Sequence, residues 1–494
     1  MANRRDWWKE KRFWLVAALF ILLLVGTNLA SYYYGASGEV LPARSGEEYD
    51  LAVPESLDLE WNIFIEVLEK LQKNYLYPPD LPQVIRGAIR GAVEALEDPR
   101  SGFYDEQELE NFLIQTTGSF GGIGVRIVEV DDEIVVFETI PDSPAASAGI
   151  IPGDRICRAG KQDLSGLGVE RAAEILRGKK GSSITLSIKR PGREKELSLT
   201  LDRDKIEVET VYSSWEEPGL GYIQITNFDS HTGASFTGQL RRLEKKGLQK
   251  GLILDLRDNP GGLVEEAVKV AKLIVPEGEI TRLVGRGGKV RDIHYSNAPK
   301  KDYPIVVLVN EESASAAEIL AGALQDRESA LLIGGKTYGK ATVQHLEDLS
   351  GGSALLLTVA RYLTPSGKDI DGKGLSPDVK VKMPDLLRYY RYFLPGRLST
   401  GDYGPDVELL QQMLAELGYK TGSKGYFDKA TAKALGNFQS AVGLKATGEF
   451  DDATWLHLRE DFERIARDRD PQLRRAIKLI KQPGRWPDRG EKAG

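Results

Sequence analysis

The sequence predicts a multidomain fold in which a transmembrane helix precedes a helical region, a β-rich domain, an α/β domain and a three-helix module. Three observations support this prediction. The chain has 494 residues, more than one hydrophobic core usually supports. A long apolar segment lies near the N-terminus, and the hydrophobic periodicity after it changes several times between helical and strand-like spacing.

The composition is that of an ordinary globular protein, with 41% apolar and 28% charged residues. The net charge of -7 comes without a basic face or basic-aromatic interleaving, so no nucleic-acid partner is predicted. Cys157 is the one cysteine of the chain, which excludes an intramolecular disulfide and a multi-cysteine metal site. Its strand-like surroundings predict a plain buried thiol.

Residues 1–34 are predicted to form a cytoplasmic stub and a transmembrane anchor. The segment 13–30 is apolar apart from Thr27 and Asn28, and about 18 to 20 such residues span a bilayer. Five basic residues lie before this segment: Arg4, Arg5, Lys9, Lys11 and Arg12. Because positive charge stays in the cytoplasm, the rest of the chain is expected to face outward. Cleavage after Ala30 would instead release a secreted form.

A polar linker at 35–54 leads to a predicted helical region at 55–117. Apolar residues recur there at helical spacing, as at Trp61, Phe64 and Ile65. The sequence Asp-Pro-Arg-Ser at 98–101 interrupts the pattern, because proline ends helices. Packing or formation of a homodimer is the role expected of this region.

Residues 118–203 form short β-rich runs separated by glycines, with strands predicted at 125–130 and 134–139. Ser-Pro-Ala-Ala at 143–146 and Pro-Gly-Asp at 152–154 follow in order. This succession resembles a PDZ domain of the circularly permuted type found in bacterial proteases. The resemblance implies that a peptide C-terminus binds a nest of backbone N–H groups. The residues that the resemblance assigns to this nest are Gly122, Ile123, Gly124 and Val125.

Between 204 and 390, strand-like runs alternate with amphipathic helices, which indicates an α/β core. Ser315 lies between Ala314 and Ala316, where an apolar strand ends and a helix begins. Such a turn is the usual way to expose a nucleophilic serine, and the helix dipole favours the developing anion. Glu318 in the first helical turn is expected only to complement that dipole.

A serine nucleophile needs a base, and the histidines of the chain offer no motif. The chain has four histidines, none of which forms a zinc-type pair, and it has no G-x-S-x-G motif. A histidine-based triad is therefore possible, but no motif indicates one. A lysine serves instead if burial keeps its amine neutral. Lys340 follows a glycine-rich stretch that also contains Lys336, and Gln344 lies four residues further on.

The motifs of this domain resemble the carboxyl-terminal processing protease family over about residues 55–384. They are Ser-Ala-Ser-Ala-Ala-Glu-Ile at 313–319, Gly-Lys-Ala-Thr-Val-Gln at 339–344 and Asp-Leu-Arg-Asp-Asn-Pro-Gly-Gly at 255–262. The resemblance implies Ser315 as nucleophile, Lys340 as general base and Gln344 as the group that positions the lysine. It also implies an oxyanion hole of the Gly261 and Ala316 N–H groups, without a metal or an organic cofactor.

Two departures and two alternatives accompany this assignment. Ala317 and Ala341 stand where the family more often has serine and glycine, but neither change removes a needed functional group. Ser313 is the alternative nucleophile and Lys336 the alternative base. The spacing and the family pattern favour Ser315 with Lys340.

Residues 400–460 contain the phrase Gly-x-Phe-Asp-x-x-Thr twice, beginning at Gly425 and at Gly448. This module resembles the three-helix peptidoglycan-binding domain of cell-wall enzymes, which implies wall binding, with a packing role as the alternative. Residues 461–494 are basic and contain prolines, and they are predicted to be a solvated tail.

Together these features predict a membrane-anchored serine endopeptidase of the cell envelope that processes proteins or peptides with accessible C-termini. The competing hypothesis is a non-catalytic scaffold that binds peptides and the cell wall. A peptidase domain that had lost its activity would be expected to have lost Ser315, Lys340 or Gln344 by substitution, and all three are present.

Overall fold

A computed structural model of the chain describes residues 57–130, 132–193, 195–390 and 397–482. The predicted transmembrane segment at 13–30 and the linker at 35–54 lie outside these ranges. Within the described ranges, no helix combines the length and the apolar character that are needed to cross a membrane.

The N-terminal region contains helices and one short strand: α1 (Asp58–Asn74), α2 (Leu81–Glu94), β1 (Gly102–Tyr104) and α3 (Glu106–Thr117). Side chains cap two of the helices, since Asp80 accepts from the Gln83 N–H and Asp105 forms a capping box with Glu108. The helical prediction holds for α1 to α3. Strand β1 was not predicted, and it belongs to a sheet of the α/β domain described below.

The β-rich domain follows, with its strands flanked by two helices. Its elements are β2 (Ser119–Gly122), β3 (Val125–Val130), β4 (Glu133–Thr139), α4 (Pro144–Ser147), β5 (Arg155–Ala159), β6 (Gln162–Asp163), α5 (Val169–Leu176), β7 (Ser183–Lys189), β8 (Leu197–Asp202) and β9 (Asp204–Glu207). The main sheet has the order β3-β4-β5-β7-β8, and β2 pairs with β9. Cys157 is partly buried on β5, and burial raises the pKa of its thiol.

The α/β domain is built on a sheet with the strand order β10-β11-β12-β15-β16-β19. Its elements, with those of the second sheet, are β10 (Val211–Glu217), β11 (Leu220–Ile225), α6 (Thr232–Lys245), β12 (Gly251–Asp255), α7 (Val264–Ile274), β13 (Gly278–Gly285), β14 (Val290–Ser296), β15 (Ile305–Val309), α8 (Ala316–Asp326), β16 (Ala330–Gly334), β17 (Thr342–Asp348), β18 (Ala354–Leu363) and β19 (Val379–Lys380). Strands β12, β15 and β16 are adjacent and parallel. Their carboxyl ends therefore meet at one edge, where the turns that follow them come together.

A second sheet packs beside this edge and carries the order β1-β18-β13-β14, with β17 also paired to β18. Strand β1 aligns Gly102 with Leu356 and Tyr104 with Ala354. The N-terminal region is thus hydrogen-bonded into the α/β domain, a long-range pairing that hydrophobic periodicity does not predict.

The C-terminal module contains α9 (Asp385–Tyr389), α10 (Pro405–Glu416), α11 (Lys429–Ala441) and α12 (Asp452–Arg469). The repeated phrase is a repeated helix cap, because Asp428 accepts from the Thr431 N–H and Asp451 from the Thr454 N–H. A buried glutamine of the preceding helix, Gln411 or Gln439, donates to the same threonine at 2.9 Å in each case. The two phrases therefore perform the same structural task.

The prediction of a solvated tail from 461 onward is wrong for the described part of that segment. Helix α12 continues to Arg469, and α13 (Pro471–Ile480) packs on the central sheet. Leu473, Ala476, Leu479 and Ile480 are buried in a cluster that includes strands β12, β15 and β16. The basic composition concealed an amphipathic helix, whose charged residues such as Lys478 lie on the outer face.

Candidate active site

Ser315 lies at the turn between β15 and α8, as predicted, and serves as the N-cap of the helix. Its backbone has φ 54° and ψ -117°, a conformation that residues other than glycine rarely adopt. Strain of this kind concentrates at functional sites. The side chain is buried between small neighbours, and Ala314 and Ala316 are also fully buried.

Gly261 follows β12 and packs directly against this turn. A Cβ atom on Gly261 would lie 2.7 Å from the Ser315 Cβ and 3.0 Å from the Ala316 nitrogen. The backbone of Gly261 also has φ +109°, which strains any other residue. Glycine is therefore required here both for space and for conformation.

The two predicted oxyanion donors differ in their hydrogen bonding. The Ala316 N–H belongs to the first turn of α8 and has no acceptor within the described residues, which leaves it available to a ligand. The Gly261 N–H donates to Asn259 Oδ1 at 2.8 Å. Asn259 also donates to the Ile225 carbonyl at 2.7 Å, so this buried amide fixes the turn that carries Gly261.

Lys340 is almost fully buried, with 1% of its surface exposed. The pKa of its amine is lowered to about 7, chiefly by burial and in smaller part by the positive charge of Arg100, while Asp98 and Glu318 oppose the shift. A substantial fraction of the amine is therefore neutral near neutral pH. The alternative base, Lys336, is exposed.

Gln344 is buried on β17, immediately after a bulge in the pairing with β18. Its Nε2 donates to the Thr342 hydroxyl at 2.9 Å and to the Thr358 hydroxyl at 3.1 Å. With both amide hydrogens used, Oε1 is the part of the amide left to accept a hydrogen bond.

Glu318 was left out of the predicted site, yet it joins the serine turn to the lysine turn. Its Oε2 accepts from the Ser315 N–H at 3.0 Å and from the Lys340 N–H at 2.9 Å. Its Oε1 accepts from the Thr337 hydroxyl at 2.5 Å and from the Gly339 N–H at 2.8 Å. Burial raises the pKa of Glu318, and these four donors oppose that rise.

Tyr362 provides a second link between the same two turns. Its hydroxyl lies 3.1 Å from the carbonyl oxygen of Ser315 and 2.8 Å from that of Lys340. The backbones of Ser315 and Lys340 are thus held together from two sides. The sequence offers a capping-box spacing for Glu318 but no local signal for Tyr362.

Ser313, the alternative nucleophile, is committed to the turn itself. Its hydroxyl contacts the Leu256 carbonyl at 2.7 Å and accepts from the Asn310 N–H at 3.0 Å. These contacts tie the loop after β15 to the end of β12. They assign Ser313 a structural role.

The predicted peptide-binding residues lie in the β-rich domain. They belong to a different domain from Ser315 and Lys340. Gly122 ends β2 and Val125 begins β3, while Ile123 and Gly124 connect them. The N–H groups of Ile123 and Gly124 donate to no acceptor in the described part of the chain, which suits a carboxylate-binding nest. No group of potential metal ligands occurs among the described residues.

Family models match three parts of the chain. Peptidase family S41 matches residues 219–381, the PDZ domain matches 113–189, and a peptidoglycan binding domain matches 403–458. The fold and the three family matches together define the class of protein. It is a PDZ-containing serine peptidase whose C-terminal module is similar to peptidoglycan binding domains.

Relatives with similar sequences identify the family within that class. The carboxy-terminal processing protease CtpA of Bacillus subtilis is 36% identical and aligns over 86% of this chain and 91% of its own length. CtpB of the same organism is 34% identical over 83% of this chain and 87% of its own. The solved structure of a photosystem II D1 C-terminal processing protease is 33% identical, covers 65% of this chain and 86% of its own, and has a TM-score of 0.41. The chain belongs to the carboxy-terminal processing protease family, as the sequence motifs predicted.

Proposed function

We propose that this protein cleaves proteins or peptides outside the cytoplasm with a catalytic dyad of Ser315 and Lys340. The observation that carries the proposal is the joining of the two turns by one carboxylate oxygen, Glu318 Oε2, beside a buried lysine whose pKa is lowered to about 7. A neutral amine on a turn that is joined to the turn of a strained serine at a helix start has the chemistry of a general base and its nucleophile.

In the proposed reaction, Lys340 Nζ accepts the proton of the Ser315 hydroxyl while Oγ attacks the scissile carbonyl carbon. The oxyanion forms beside the Ala316 N–H at the positive end of α8. Lys340 then gives the proton to the leaving amine, and an acyl-enzyme remains. Water then attacks the ester carbonyl while Lys340 accepts a proton from it. The ester C–O bond breaks, Lys340 returns that proton to Ser315 Oγ, and the new C-terminus is released.

Gln344 orients the lysine in this proposal. Its amide hydrogens are held by Thr342 and Thr358, so Oε1 can accept a hydrogen bond from the amine without adding a negative charge. A carboxylate at this position would favour the protonated lysine and weaken the base.

The PDZ domain delivers the substrate. Its loop at 122–125 binds the terminal carboxylate through backbone N–H groups, and the adjoining sheet edge pairs with the extended peptide. The N-terminal segment anchors the enzyme to the membrane, and the C-terminal module binds peptidoglycan, which together retain the peptidase at the cell envelope.

Matched variants of the full chain test the dyad. Ser315→Ala and Lys340→Ala should abolish both cleavage of a peptide with a free C-terminus and labelling by a fluorophosphonate probe. Lys336→Ala serves as the control, because this exposed lysine lies in the same turn as Lys340. Turnover that persists in either dyad variant would refute the assignment, and a wild-type protein without labelling or cleavage would favour the scaffold hypothesis.

A further inference from the structure

The interruption of the helical region at 98–101 lies against the active site. It connects α2 to β1, and β1 is hydrogen-bonded to β18, which carries Thr358. The Thr358 N–H donates to the Ser101 hydroxyl at 3.1 Å. This short segment, which the family models for the peptidase and PDZ domains do not include, thus reaches the neighbours of Gln344.

Asp98 holds Thr358 through Ser101. The Ser101 hydroxyl donates to Asp98 Oδ2 at 2.7 Å, which orients its oxygen to accept from the Thr358 N–H at 3.1 Å. Partial burial would raise the pKa of Asp98, but the neighbouring hydroxyls of Thr358 and Ser101 outweigh this and lower it. The Thr358 hydroxyl in turn accepts from Gln344 Nε2 at 3.1 Å, so the fixed position of Thr358 helps to hold this amide.

Arg100 holds the second threonine. Its Nη1 donates to the Thr342 hydroxyl at 2.8 Å and to Asp371 Oδ1 at 3.1 Å. The same carboxylate oxygen of Asp371 accepts from the Ala341 N–H at 2.9 Å, next to Lys340. Thr342 in turn accepts from Gln344 Nε2 at 2.9 Å, so Arg100 braces the amide and the lysine turn together.

We propose that Asp98 and Arg100 are positioning residues of the catalytic site, which fix Thr358 and Thr342 and thereby aim Gln344 Oε1 at Lys340. The proposal rests on the function proposed above. Under this proposal, the N-terminal region positions groups of the catalytic site, whereas the sequence indicated only packing or dimerisation.

The charges around Lys340 provide a readout that a purely structural role would not move. Arg100 disfavours the protonated amine, whereas Asp98 from the same segment and Glu318 from α8 favour it. Asp371 is the remaining carboxylate of this network and is paired with Arg100. Loss of the Arg100 charge and loss of the Asp98 charge should therefore shift the pH profile of catalysis in opposite directions.

The experiment measures the pH dependence of peptide cleavage and of fluorophosphonate labelling for variants of the full chain. Arg100→Gln should raise the pH midpoint, Asp98→Asn should lower it, and Thr358→Val should leave it unchanged. Each variant should lower kcat/KM roughly tenfold or more, the cost of one buried hydrogen bond. Arg100→Lys keeps the charge and should restore the wild-type midpoint with a reduced rate.

Arg90→Gln is the matched control, because Arg90 pairs with Asp105 and Glu108 in the same region and makes no hydrogen bond or ion pair with the site residues in the described part of the chain. A loss of folded enzyme that is equal at every pH lowers the rate without moving the midpoint. A loss of folding confined to low pH would raise the midpoint of both variants, so the opposite shifts expected for Arg100→Gln and Asp98→Asn cannot both come from it. Identical midpoints in wild type, Arg100→Gln and Asp98→Asn would overturn the proposal. Failure of the dyad itself would appear separately, as activity that survives in Ser315→Ala or Lys340→Ala.

Discussion

At the scale of the single residue, Lys340 is a buried titratable amine, and its burial lowers the stability of the fold at low pH. Its pKa falls from 10.5 to about 7 on burial, so the unfolded chain binds more protons than the folded chain between these values. The contribution of Lys340 to stability therefore rises with pH through that window and is least favourable below pH 7. The same lowered pKa that reduces stability at low pH keeps a fraction of the Lys340 amine neutral near pH 7, as a general base requires.

The first prediction concerns the pH dependence of the wild-type enzyme. The value of kcat/KM should rise with pH and level off above about 7, since a protonated Lys340 cannot accept the serine proton. Below this point the rate should fall by about tenfold for each pH unit. Steady-state cleavage of a PDZ-binding peptide in buffers of constant ionic strength provides the measurement. A profile that titrates as a histidine and persists in Lys340→Ala would contradict the Ser-Lys assignment.

Some residues of the site could be predicted because a local sequence motif contains them, whereas others could not because their contacts come from distant parts of the chain. Ser315 and Gln344 were predicted because a strand-to-helix turn and a short motif carry them. Glu318 was misjudged, since its partners Thr337 and Lys340 come from another turn that only the fold brings close. Arg100 was missed for the same reason, because its contact with Thr342 spans 242 positions of the chain.

At the scale of elements, the site is a meeting of turns after parallel strands. The strand-helix alternation predicted β12, β15 and the helices after them, and hence the edge at which these turns meet. It did not predict β1 or the pairing of β17 with β18, because such long-range pairings depend on tertiary contacts. The bulge that directs Gln344 belongs to this second, unpredicted layer.

The second prediction tests the contact between two of these turns. Gly261→Ala should reduce fluorophosphonate labelling strongly and destabilise the fold by on the order of 3 kcal/mol, since its Cβ would clash with the Ser315 Cβ. Gly287→Ala is the control, because Gly287 also has positive φ but meets no atom within 4 Å. Thermal unfolding and the labelling rate should separate backbone strain, present in both, from the clash, present only at 261. Equal effects in the two variants would mean that the close packing on Ser315 is unimportant.

At the scale of the whole molecule, the C-terminal module is connected to both other domains through α12. Trp455 packs against Phe137 of the PDZ domain with ring centroids 5.3 Å apart and the rings tilted by 43°, and Arg459 Cζ lies 4.1 Å from the centroid of the Phe137 ring. Further along the helix, Arg467 pairs with Glu216 of the α/β domain at 2.6 Å. One helix therefore contacts the domain proposed to deliver the substrate and the domain proposed to cleave it.

Helix α13 then becomes part of the peptidase core. Asp470, at its N-terminus, accepts from Arg257 Nη1 at 2.6 Å, and Arg257 is also paired with the buried Asp255 of β12. Arg257 leads directly into the turn that carries Gly261. Helix α13 and Asp470 thus support the strand and turn that lead to Gly261, a role that the basic composition of this segment did not indicate.

The last prediction distinguishes a core helix from a solvated tail. Leu479→Ala should destabilise the α/β domain by about 2 to 5 kcal/mol, because it removes a buried side chain from the cluster on β12, β15 and β16. Lys478→Ala, at the exposed neighbouring position, should change stability by less than about 0.5 kcal/mol. Urea unfolding of the full chain, followed by the loss of fluorophosphonate labelling, reports on the peptidase domain itself. If both variants lost labelling at the same urea concentration as the wild type, α13 would not contribute to the core, and the support that Asp470 provides behind Gly261 would have to be discarded with it.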